Sequence, residues 1–278
     1  EGRPLQIAEW YTVPNILANV FFVNGFIPGD ANNRVVPGGW SIGTEMAFYA
    51  LFPFIFMVYK RFQENIKALV LIPWIGLVLS FLGLYMLEYL AEDVVGYQNF
   101  YYFKEESNFL YFNLICQLPV FLVGISMFFA SMKFRKSTTL DHYFLFVACI
   151  GFTFFGLVLL VFHDRMISLL PFVPAISFFF LFLLFKEVPK LSNKLLARIG
   201  QLSFSIYLFH FIFAFEGSRF LYERLNGYMS PEVMLLLNFV FTTFATMGVA
   251  VLSEKYIEKP GIEMGKKIIT RIKQRRTK

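Results

Sequence analysis

Residues 40–59 read WSIGTEMAFYALFPFIFMVY. Twenty residues contain one charged side chain, Glu45, and no helix-ending cluster of Gly, Asn or Ser. A helix of that length spans the hydrocarbon core of a bilayer, about 30 Å at about 1.5 Å per residue. Six further stretches of the same kind follow, at 68–90, 109–130, 143–162, 167–185, 199–215 and 233–252. A shorter run at 13–27 carries Pro14, Asn15, Asn19 and Asn24. It reads as an interfacial or re-entrant helix, not a full span. The expected fold is all-α: a polytopic helical membrane bundle of about seven spans, with no internal repeat. One membrane domain is expected over residues 1–260, followed by a basic cytoplasmic tail, 261–278.

Composition agrees with the spans. Of 278 residues, 57% are hydrophobic, 38 are Phe, and only 16% are charged, against about 25% in ordinary soluble domains. The mean hydropathy is +0.60. A soluble domain of this size has too little interior for so much apolar side chain. Soluble enzymes, disordered chains and DNA-binding domains are therefore set aside. The net charge of +6 gathers in Lys266, Lys267, Arg271, Lys273, Arg275, Arg276 and Lys278. After a membrane helix this reads as a cytoplasmic end near anionic lipid, not as a nucleic-acid site. Cys116 and Cys149 lie in apolar runs and suggest neither a disulfide framework nor zinc.

Loop charge sets an orientation. Lys60, Arg61 and Lys67 follow the first span; Lys133, Arg135 and Lys136 the third; Lys186, Lys190, Lys194 and Arg198 the fifth. The other connections are acidic, short or mixed, with Glu92, Asp93, Glu105 and Glu106 in one and His163, Asp164 and Arg165 in another. Every second connection is basic. Residues 1–39 are thus expected outside and the C-terminus in the cytoplasm.

Ionisable groups at membrane depth are costly and mark candidate sites. Glu45 lies near the outer end of its span. Ser41, Glu45 and Tyr49 fall at i, i+4 and i+8, on one helix face. The competing reading pairs Glu45 with an Arg or a backbone amide in a capping or interface role. In the sixth span Ser203, Tyr207 and His210 share a face, and His210 falls at a similar depth, about 17 Å up its helix from residue 199. Asn113 and Gln117 sit near the outer end of the third span and Asn238 near that of the seventh. Together these groups are expected to line a polar cavity opening outward, although Asn113 and Asn238 read more simply as helix-packing hydrogen bonds. His142 reads as interfacial. No phosphate loop, HExxH or paired-Cys metal pattern, GxSxG elbow or RNA-binding motif is present.

Four segments, in order, resemble the acyltransferase 3 family of integral-membrane O-acyltransferases. Pro37-Gly38-Gly39-Trp40-Ser41-Ile42-Gly43-Thr44-Glu45, with Phe48-Tyr49 and Phe52-Pro53, resembles its W-S-x-x-x-E…F-Y…F-P segment. Pro119 to Gly124 resembles its P-x-F-x-x-G stretch, although Gln117 stands where an Arg is common. Gly200 to His210 resembles its G-x-x-S-Y-S-x-Y-L-x-H helix, with Phe204 for the commoner Tyr; Glu258-Lys259-Pro260 resembles its closing E-x-P.

The resemblance implies an acyl group, by default acetyl, moved from acyl-CoA as co-substrate to a hydroxyl of an envelope glycan or lipid. The setting it implies is the bacterial inner membrane. It implies no bound cofactor or metal. Glu45 and His210 become candidate catalytic residues; Trp40, Ser41, Tyr49, Gln117, Ser203 and Tyr207 become candidate substrate contacts. The family has about ten spans and a His-bearing catalytic motif on its first helix, so three spans and that His, the base the resemblance implies, are expected upstream of Glu1; Glu45 would orient that His or hold the acceptor. The rival reading is a transporter or flippase using the same outward cavity.

Overall fold

The computed structural model describes residues 11–27, 35–36, 38–90, 109–133, 139–161, 168–191, 193–225 and 227–276. Helix accounts for 91% of them, without a strand. The segment bearing Glu92, Asp93, Glu105 and Glu106 lies outside the described residues. So do Pro37, Arg135, Lys136, Lys278 and the turn His163–Arg165.

The elements are α1 (Val13–Val20), a 3-10 turn (Asn24–Phe26), α2 (Gly39–Phe62), α3 (Ile66–Tyr89), α4 (Phe109–Phe112), α5 (Leu114–Lys133), α6 (Thr139–Val161) and α7 (Leu169–Glu187). A 3-10 turn, Pro189–Leu191, precedes α8 (Lys194–Ile212), α9 (Ser218–Leu225), α10 (Pro231–Ser253) and α11 (Lys259–Arg276). Five-residue π-helical segments, Phe213–Gly217 and Glu254–Glu258, join α8 to α9 and α10 to α11. Among the described residues seven helical runs are long and apolar enough to cross a membrane, one at each expected span. The 13–27 run holds only an eight-residue helix and a turn, too short to cross.

The chain divides into two compact units, Glu1–Leu191 and Ser192–Lys278. In the first, α5 is the hub: it packs against α2, α3 and α7, and half of its span is buried. Small residues set its distance from α3. A Cβ on Gly76 would lie 2.3 Å from Leu122 Cδ1, and one on Gly83 2.9 Å from Ile115 Cγ2. Lipid gives helices no hydrophobic reason to associate, so close backbone approach and hydrogen bonds hold them. Both occur here. The Tyr59 hydroxyl, fully buried, donates to Leu122 O at 2.7 Å and meets Ser126 Oγ at 3.0 Å. Ser126 Oγ in turn donates to Leu69 O at 2.7 Å. That chain ties α2, α3 and α5 together.

The same unit gathers basic groups at one end. Lys133 Nζ reaches Glu64, in the α2–α3 turn, at 2.9 Å, and Lys186 Nζ donates to Ser131 O. The ends of α2, α5 and α7 therefore meet on one side, as alternating spans require. The apolar outer faces of α2, α3 and α6, including Phe54, Leu82, Phe144 and Phe154, are exposed on the protein itself and suit lipid contact.

The second unit is built on α8 packed against α10. The buried face of α10 runs through Met234, Thr246, Ala250 and Ser253. Beyond residue 252 the chain does not leave the helix. It passes through the π-helical turn into α11, so much of the basic tail is an eighteen-residue helix.

Candidate functional site

In the first unit the candidate residues gather at the N-terminal end of α2. Gly38 adopts φ 74°, a left-handed conformation that favours glycine, and so turns the chain directly into the helix. Ser41 Oγ donates to Gly38 O at 3.0 Å across that turn. Trp40 stacks on Phe112 at 4.2 Å between centroids and tilts against Tyr111 at 5.9 Å. Thr44 Oγ1 lies 2.8 Å from Phe112 O and 3.0 Å from Trp40 O. Gln117 Nε2 donates to Tyr111 O at 2.7 Å. Trp40, Thr44 and Gln117 thus converge on one short turn, Tyr111–Phe112, and fasten α2 to the start of α5. Asn113 Oδ1 accepts from Ile115 N at 3.0 Å; it caps α5 locally instead of bridging helices.

Glu45 is half-buried, and the Tyr49 hydroxyl donates to Glu45 Oε1. The i, i+4 face read from the sequence is therefore a direct contact. The carboxylate's hydrogen-bond partner is a phenol, not an Arg or a backbone amide. Among the described residues no ion pair reaches Glu45. Tyr49 is itself more than half exposed, so the pair opens to the bundle's surroundings.

In the second unit His210 is half-buried near the end of α8, three residues before a π-helical segment. Such segments recur at functional sites. Its Nδ1 lies 2.7 Å from Tyr207 O. A carbonyl only accepts, so Nδ1 carries the proton and Nε2 of the neutral ring keeps its lone pair. The ring lies 5.6 Å from Tyr207 and 3.9 Å from Phe211, centroid to centroid. Ser203, on the same stripe, is exposed. Among the described residues Asn238 Oδ1 and Thr246 Oγ1 on α10 are buried without a hydrogen-bond partner, whereas the sequence suggests a packing bond for Asn238.

A second cluster in this unit was not foreseen. Arg198 grips Glu254 with both terminal guanidinium nitrogens, Nη1 and Nη2, at 2.9 and 2.6 Å, and Lys259 Nζ adds a contact at 3.3 Å. Ser205 Oγ lies 3.2 Å from Ser253 Oγ and 3.1 Å from Glu258 Oε2. In sequence Arg198 reads only as loop charge, and Glu254 falls just past the predicted span. A carboxylate two residues beyond an apolar run, inside a segment with no helix stop, was the available signal.

Glu45 and His210 belong to different units, and each is understood from its own surroundings. No curated protein and no solved structure matches the chain. The family model for acyltransferase 3, described as an acyltransferase domain, matches residues 7–255. That stretch takes in both units' spans, Glu45 with Tyr49, and the His210 helix. The chain belongs to the acyltransferase 3 family, and is a membrane enzyme that transfers acyl groups other than aminoacyl groups.

Proposed function

We propose that the enzyme moves an acetyl group from acetyl-CoA to a hydroxyl of a cell-envelope polysaccharide or lipid, in a bacterial inner membrane, with its C-terminus in the cytoplasm. The observation that carries the site assignment is Glu45. A carboxylate in a spanning helix, hydrogen-bonded to a phenol and reached by no cation among the described residues, is expensive to keep for stability alone. Its value lies in chemistry.

The reaction forms a carbon–oxygen ester bond and breaks the carbon–sulfur bond of the thioester. The hydroxyl proton passes to a base and ends on the CoA thiol. Two demands follow: a base near the hydroxyl, and donors for the oxygen that becomes negative in the tetrahedral intermediate. Glu45 accepts or orients the proton, and Tyr49 sets the direction of its free lone pairs. His210 offers Nε2 as acceptor, since its Nδ1 hydrogen is committed to Tyr207 O. The basic ends Lys60, Arg61, Lys133 and Lys186 favour the cytoplasmic side for that end of the first unit, where CoA is available. Trp40, Ser41 and Gln117 hold the frame of the acceptor site through the Tyr111–Phe112 turn; Ser203 and Tyr207 stand along the His210 face.

The test uses the complete gene product in membranes with labelled acetyl-CoA and envelope extracts. Wild type should transfer label to glycan or lipid. Glu45→Gln, inserted to the same level, should lose about 10²- to 10⁴-fold in rate, the usual value of an acid–base group. Unchanged transfer by Glu45→Gln would remove Glu45 from the site. No transfer by well-inserted wild type across several extracts would overturn the acceptor class.

A further inference from the structure

The helix α11, Lys259–Arg276, carries seven basic residues and one acid, Glu263, a net +6. That equals the net charge of the whole chain, so the other 260 residues are neutral together. The isoleucines are not spread evenly around the helix. At 100° per residue Lys266, Lys267 and Arg271 fall within an arc of about 140°. Ile262, Ile268, Ile269 and Ile272 fall within about 120° on the opposite side, with Lys273 and Arg275 at its edges, Arg276 inside it at the helix end, and Met264 beside Arg271. These five apolar side chains are between 49% and 63% exposed. A soluble helix does not keep four isoleucines wet on one face without a partner.

We propose that α11 lies along the membrane surface, its isoleucine face sunk into the headgroup–acyl boundary and its Lys/Arg face bound to anionic lipid headgroups. Two observations choose the bilayer over a protein partner. The charge is complementary to an anionic leaflet, and the helix is already tethered there by α10. Pro231–Arg275 is a continuous helical run of 45 residues. At about 1.5 Å per residue it is about 67 Å long, roughly twice the hydrocarbon thickness. Its C-terminal part must therefore stand in water or turn onto the surface.

The turning point is written in the sequence. Pro260 supplies no N–H to the helix, Gly261 follows it, and the π-helical segment Glu254–Glu258 lies just before. The Arg198–Glu254 pair holds the preceding turn, so the bend falls at Pro260–Gly261. An amphipathic helix of this kind binds through buried apolar area plus charge, and its affinity follows anionic lipid content. The proposal rests on α10 crossing the bilayer and not on the acyl-transfer assignment.

The test is made on the full chain in lipid nanodiscs, with Cys116 and Cys149 replaced by Ala and insertion verified. An environment-sensitive dye is placed at Ile269→Cys or, on the opposite face, at Lys267→Cys. Discs are made of phosphatidylcholine alone or mixed with phosphatidylglycerol, with brominated acyl chains as quencher. The expected result is strong bromine quenching at position 269, weak quenching at 267, and a clear dependence on phosphatidylglycerol. Adding Lys266→Gln, Lys267→Gln and Arg271→Gln to the Ile269→Cys protein should weaken partition by about 100-fold, about fivefold per charge. Equal, weak quenching at both positions would mean that the helix stands in water, and would overturn the proposal. So would quenching indifferent to phosphatidylglycerol, or a 269 dye shielded from water but not quenched, which would place a protein partner or a second copy on that face.

Discussion

Glu45 and Glu254 are both carboxylates inside helical runs of membrane-spanning length, and they are treated in opposite ways. Glu254 is buried and held by Arg198 through two charge-assisted bonds, with Lys259 behind. Its charge is cancelled where it stands, and the bonds join α8 to the end of α10. Glu45 has a phenol and a partly open surface. The first arrangement locks two helices at a fixed register. The second leaves an acceptor free for another molecule. Under the proposed function, a membrane carboxylate's partner separates a fastening from a working group better than its depth does.

Substitutions can break that distinction. The largest effect should fall on Glu45. Its change to Gln keeps the shape and the Tyr49 contact and removes the charge, so transfer should fall by about 10²- to 10⁴-fold while insertion and Tm stay constant. The reverse pattern is expected at the other carboxylate. Glu254→Gln or Arg198→Met should lower the Tm of purified protein by several degrees, and should reduce activity only in proportion to folded protein. If Glu254→Gln abolished transfer at unchanged Tm, the two carboxylates would have to exchange roles.

Tyr59→Phe sharpens the contrast within the first unit. The hydroxyl it removes serves only the fold, through Leu122 O and Ser126, so the loss should be about 1–3 kcal/mol of stability, read from detergent unfolding, with per-molecule activity retained. Tyr49→Phe should do the opposite: little change in stability, and a fall in activity of about tenfold, the value of one hydrogen bond to a charged group.

The spans were legible because each needs only about twenty apolar residues, a property of local sequence. Ends were less so. Residues 40–59 grow to Gly39–Phe62, because Lys60 and Arg61 are good helix formers whose charge changes hydropathy without ending the helix. For the same reason a seventh span predicted to stop at 252 runs on as helix to Arg276. The Glu45–Tyr49 contact was legible too, since four residues fix it. Thr44 with Phe112, Arg198 with Glu254, and Ser205 with Ser253 were not. Their partners lie 68, 56 and 48 residues away, and only packing brings them together. Local spacing finds one side of a site; tertiary contact supplies the other.

Within the Glu254 cluster the smallest effect should come from Lys259. Its ammonium reaches Glu254 by one contact at 3.3 Å, and its side chain is 61% exposed, so water solvates it nearly as well as the carboxylate does. Arg198 presents a planar fork that matches both carboxylate oxygens, at 2.9 and 2.6 Å. Lys259→Gln should therefore leave the Tm within experimental error, while Arg198→Lys, which keeps the charge and loses the fork, should lower it measurably. A larger loss from Lys259→Gln than from Arg198→Lys would mean that net charge, not bidentate geometry, holds Glu254. The clamp would then depend on charge alone, and salt would weaken it more than it weakens a hydrogen-bonded bidentate pair.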